Sequence, residues 1–177
     1  MTEKDFHKVL ESFDYFEMIL LEIEAHPRLL PSFMKFALTS QHPNSWRALW
    51  IADKLYDKHP DRIEPYIPQM IGQLKTEQHH GRKRHLLKLI SQSEVDSGYS
   101  GFLVDYCLNV FTSEEPVANR VHAMQVLYNI SETEPDLKPE LLDIIQQEIE
   151  FRPTPGIRTR GSKLAKKLFL QINSQES

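Results

Sequence analysis

The sequence predicts an all-α chain, an α-solenoid of about four stacked helical pairs, and three observations predict it. Apolar residues recur at helical spacing through most of the 177 residues, and no stretch alternates with the period of two that a half-buried strand needs. A helix–turn–helix pattern repeats with a period of about 37–38 residues. Proline recurs early in the second helix of successive pairs, where the first turn has no use for its missing N–H and φ is already near the helical value.

Turn and cap residues place the helices at about 4–25 with a break near Asp14, then at 28–40, 44–58, 62–76, 82–92, 99–112, 117–133, 137–151 and 157–172. Self-comparison supplies the register. Ser45 to Leu55 aligns with Arg120 to Ile130, matching Ala48 with Ala123, Ile51 with Val126 and Leu55 with Ile130. The match runs on through a turn, His59-Pro60-Asp61 against Glu134-Pro135-Asp136, and His26-Pro27 repeats the same signal earlier. Leu86 and Gly161 fill the remaining places, so Ala48, Leu86, Ala123 and Gly161 are reference positions spaced 38, 37 and 38. Such a helical pair cannot bury its apolar stripe alone and must stack on its neighbours.

The expected domain is therefore a single one, 1–177, with a cap and first repeat at 1–43, central repeats at 44–78, 79–115 and 116–152, and a last helix at 153–177. The irregular turn Ser91 to Gly98 is the expected joint.

Hydrophobic residues at 40% and charged residues at 26% suit a globular core, and the lone Cys107 lies in an apolar run as a small buried hydrophobe, which excludes a disulfide framework. The first residues mix acids with bases, unlike a signal peptide, and no apolar run reaches the roughly twenty residues of a membrane span. A cytoplasmic protein that stays off membranes is expected. The net charge of −4 argues against general affinity for nucleic acid. Its distribution is uneven: Glu94 to Glu150 holds twelve acids against two bases, whereas Phe151 to Ser177 holds six bases and one acid.

Three passages carry a resemblance: Asn44 to Trp50, Arg120 to Asn129, and Gly156 to Leu168. Together they resemble a family of small bacterial HEAT/armadillo-like repeat proteins, some of whose members bear the label adenylosuccinate lyase. The resemblance covers about residues 10 to 170 and implies a HEAT/armadillo-like superhelix acting as a binding scaffold. It does not imply a lyase. Adenylosuccinate lyases are much longer chains with a flexible loop rich in Ser, Met, Pro, Lys and Asn, and no segment here resembles that loop.

No His-Glu-x-x-His, Gly-x-Ser-x-Gly or phosphate-binding glycine loop occurs, so no catalytic residue, metal or cofactor is expected. Two binding surfaces follow from the repeat instead. Arg47, His85, His122 and Arg160 each precede a reference position, and Lys83, Arg120 and Arg158 lie three places before one, which predicts a cationic edge for an anionic segment. On the second helices Lys35/Thr39, Gln69/Gln73, Asp105/Asn109 and Asp143/Gln147 are each four apart and share a helical face, which predicts a polar inner groove.

The expected partner is another protein or an anionic peptide. The alternative is an enzyme acting on nucleic acid: Trp46, Trp50 and Asp53 are similar to the aromatic–aspartate sets of DNA-alkylation-repair glycosylases, which share helical-repeat architecture. Phe13 to Ile23 carries eight apolar residues, more than one buried stripe needs; a monomer is expected, with a dimer through this face as the alternative.

Overall fold

Every helix the sequence predicts has a counterpart in the structure, a computed structural model that describes residues 3–175. The outermost residues of the expected 1–177 domain, Glu176 among them, lie outside the described residues. No strand occurs among the described residues, and none of their helices is long and apolar enough to cross a membrane.

The chain divides into two compact units, the first ending at Glu94 and the second starting at Val95. That boundary falls inside the Ser91–Gly98 turn. The predicted 79–115 repeat thus gives its first helix to one unit and its second helix to the other.

In the first unit a 3₁₀ turn, Glu3–His7, leads into α1 (Lys8–Glu11). The predicted break falls at Ser12, whose extended backbone ends α1 and whose hydroxyl accepts the Asp14 N–H as α2 (Asp14–Ala25) begins. Next come α3 (Leu30–Thr39), α4 (Trp46–Lys58), α5 (Pro60–Ile63), α6 (Ile67–Leu74) and α7 (His80–Gln92). The expected single helix 62–76 is split by a 3₁₀ turn at Glu64–Tyr66, because Pro65 and Pro68 withdraw two backbone donors within one turn. The buried Phe6 and Phe33 rings meet edge to face at 5.3 Å, and Met34, Leu49, Ile51 and Met70 complete this core.

The second unit holds α8 (Ser100–Phe111), α9 (Val117–Thr133), α10 (Lys138–Phe151) and α11 (Pro155–Gln175). Its core gathers Leu103, Cys107, Phe111, Met124, Ile145, Leu164 and Leu168. Burial pushes the Cys107 thiol well above its ordinary pKa, so it packs as the apolar group the sequence predicts.

The repeat is written into the backbone. His26, His59 and Glu134 adopt nearly one conformation, with φ of −125°, −138° and −123° and ψ of 76°, 65° and 75°. Each donates its N–H to the carbonyl four residues back, from Glu22, Leu55 and Ile130, and each precedes a proline. Proline disfavours the helical region for its predecessor, and these three residues leave it as the first helix ends, while the proline itself opens the second helix. Ala48, Leu86, Ala123 and Gly161 are all buried, as equivalent reference positions should be.

At Gly161 two helices come close. A Cβ there would stand 3.0 Å from Ile149 Cδ1 and 3.4 Å from Ile145 Cγ2, both on α10. Gly161→Leu is expected to destabilise the protein by about 1–3 kcal/mol through overpacking, measured as a lower urea midpoint. Gly161→Ala should stay within about 1 kcal/mol of wild type, since the gain in helix propensity offsets a small shift of Ile149. A leucine as well tolerated as alanine would show that α10 and α11 are not held at this spacing.

Candidate functional site

In the first unit, α3 and α6 place Lys35, Thr39, Gln69 and Gln73 around one hollow of about 450 Å³, with Pro31, Leu38 and Tyr66 completing its wall. A second hollow of about 440 Å³ is lined by Phe6, His7, Ser32 and Phe36 and shares Pro31, Lys35 and Thr39 with the first. The shared three are spaced four apart, so they form one ridge along α3 with a hollow on each side. Lys35, Thr39 and Gln69 are exposed, and the Thr39 hydroxyl donates to the Lys35 carbonyl at 2.8 Å. Burial raises the Tyr66 phenol above its ordinary pKa, which keeps it a neutral hydrogen-bonding group.

The predicted groove residues of the first unit are therefore brought together. In the second unit Asp105 and Asn109 are exposed on α8, and Asp143 and Gln147 on α10, giving acids and amides without a cation among them. Pro31 and Tyr66 were not foreseen. Their signal was spacing: Pro31 continues the Lys35/Thr39 series backwards, and Tyr66 stands one turn before Gln69 and two before Gln73.

The predicted cationic edge is not an exposed strip, because several members turn inward. Arg47 Nη1 donates to the Val9 and Leu10 carbonyls at 3.2 and 3.1 Å, and its guanidinium lies 4.3 Å from the centre of the Phe13 ring. His85 is buried against Asp53. Arg120 is buried, donating to the Phe111 carbonyl at 2.9 Å and to Glu148 at 2.7 Å. Lys83 and His122 are half-buried; Arg160 donates to Gln125 at 2.6 Å, and Arg158 is exposed. The physical reason is the helix C-terminus, whose last four carbonyls lack intrahelical donors and carry the negative end of the dipole. Arg47 serves the end of α1 in this way and Arg120 the end of α8. Arg82, outside the predicted edge, does the same for α3, with the Ala37 and Leu38 carbonyls at 2.9 and 2.8 Å.

A third constellation surrounds Trp46 and Trp50. The two indoles lie 6.1 Å apart at 21°, and the His85 ring is nearly parallel to both, 6.4 and 6.2 Å away. Phe13, just ahead of α2, and Phe16 on α2 close on Trp50 at 5.6 and 4.8 Å. Behind them Asp53 is buried, with Lys88 Nζ 2.8 Å from Oδ1 and 2.9 Å from Oδ2, and His85 Nδ1 3.4 Å from Oδ2. The aromatic–aspartate trio is thus gathered in one place, with its carboxylate facing inward onto Lys88 and His85.

The family model of the HEAT repeat domain matches residues 11–168. The chain belongs to the HEAT repeat domain family. No curated protein and no solved structure matches it. The matched span of this HEAT repeat domain takes in α2 through most of α11, so the α3–α6 hollow and the aromatic cluster both lie within it, while Phe6 and His7 of the second hollow precede it.

Proposed function

We propose that this HEAT repeat domain is a non-enzymatic cytoplasmic scaffold, and that its α3–α6 groove binds an extended, carboxylate-bearing segment of a partner protein. One observation supports the reading most: an exposed cation, a hydroxyl and two side-chain amides converge on one hollow walled by Pro31, Leu38 and Tyr66. Amides that donate and accept suit a peptide backbone, which offers both groups at every residue. Lys35 suits an acidic side chain, and the proline and phenol surfaces suit apolar ones. These are the needs of peptide recognition, not of bond cleavage.

Selection of short random peptides displayed against the protein should enrich Asp or Glu. The triple variant Lys35→Glu, Gln69→Ala, Gln73→Ala should weaken the selected peptides at least about tenfold, roughly 1.4 kcal/mol. Binding should also weaken as salt screens the Lys35 charge. Selected peptides that bind the triple variant as tightly as wild type would overturn the proposal.

A further inference from the structure

Two helices of this chain leave an apolar face in solvent. On α2 the stripe Asp14, Met18, Leu21, Ala25 is exposed, with Met18 at 44% and Leu21 at 53%. On α11, Phe169 and Leu170 are exposed by 54% and 58%, one and two turns beyond the exposed Lys166 and Lys163. The charges beside the two faces are opposite. Residues 11–25 hold five acids and no base, whereas residues 151–175 hold six bases and no acid.

The spacing is matched as well. Asp14, Glu17 and Leu21 follow the same three-then-four steps as Lys163, Lys166 and Leu170, all six exposed. Laid side by side in parallel, the two helices set acid against lysine twice and leucine against leucine once, on the face that residues three and seven apart share.

The geometry points to head-to-tail self-association, in which the α2 face of one copy seats on the α11 face of the next. A second copy is the occupant because each chain carries both complementary halves, and both are exposed in the same molecule. A two-fold pairing of α2 with itself sets the acid-rich residues 11–25, with five acids and no base, against one another, so like charge faces like. The contact is therefore heterologous, and repetition builds a closed ring or an open filament.

Two single substitutions on exposed positions separate this from pairing of α2 with α2 or of α11 with α11. Leu21→Arg spoils the α2 face and leaves α11 intact; Leu170→Arg does the reverse. In sedimentation velocity the wild type should grow past the dimer as concentration rises and shrink as salt is added. Each variant alone should sediment as a monomer. Their equimolar mixture should form one dimer and stop there, since only one live pair of faces remains. A wild type that stays monomeric up to its solubility limit, a variant that still self-associates alone, or a mixture that stays monomeric would each overturn the inference.

Discussion

Arg82→Ala is expected to destabilise the protein by about 3–5 kcal/mol, because it removes one partner of a buried ion pair and strands two backbone carbonyls. Arg82 Nε meets Glu77 Oε2 at 2.6 Å, while its two terminal nitrogens reach the Ala37 and Leu38 carbonyls at the end of α3. Without the guanidinium, Glu77 keeps the His79 N–H at 3.0 Å but loses its buried cation, in a site that water barely enters. Arg82→Lys should recover part of the loss, since an ammonium keeps the charge but cannot fork across three acceptors. Urea denaturation gives the magnitude, and hydrogen exchange gives the place: protection should fall first at the C-terminus of α3 and the N-terminus of α7. An Arg82→Ala protein with an unchanged urea midpoint would mean that these carbonyls and Glu77 are satisfied by water, and that the buried fork is dispensable.

The same residue shows where sequence reading stopped. The repeat, the Pro-opened second helices and the break ahead of Asp14 were legible, because each depends on neighbours in the chain: proline restricts the residue before it, and an apolar stripe has a period. Gln69/Gln73 and Lys35/Thr39 were legible as pairs for the same reason. What the sequence did not disclose is where a long cationic side chain goes. Arg47 and Arg120 stand at helical positions that a repeat would stack along an edge, yet the orphan carbonyls of α1 and α8 are within reach, and an unpaired buried carbonyl outweighs a solvated guanidinium. That contest is decided by helix ends brought close in space, 37 residues away for the Arg47 contact to Leu10, so no local pattern reveals it. His85 is a similar case. Its place in the chain matches the exposed edge, and only the packing of α7 on α4 shows that it lies under two indoles.

Asp53→Ala is expected to cost about 2–4 kcal/mol near neutral pH, with the loss shrinking in strong acid. Burial by itself would push the Asp53 carboxyl upward, but His85 and Lys88 outweigh it and hold the group below the ordinary carboxylate range. Its charged form therefore contributes stability above about pH 4, and that contribution is lost as pH falls through the lower folded value. His85 titrates in a separate window. Burial first, then the cations Arg84 and Lys88, press its pKa below 6.5, while Asp53 resists. Arg84 donates to His85 Nε2 at 3.2 Å, which leaves Nδ1 to carry the proton toward Asp53 and makes the folded ring neutral. The unfolded chain then binds a proton that the folded one refuses, so stability is complete above about pH 6.5 and declines as pH falls below it. His85→Asn keeps a donor near Asp53 and cannot titrate, so its stability should change less than the wild type's between about pH 7.5 and 5.5. If the two pH profiles run parallel, His85 does not carry the pH-dependent part of the stability.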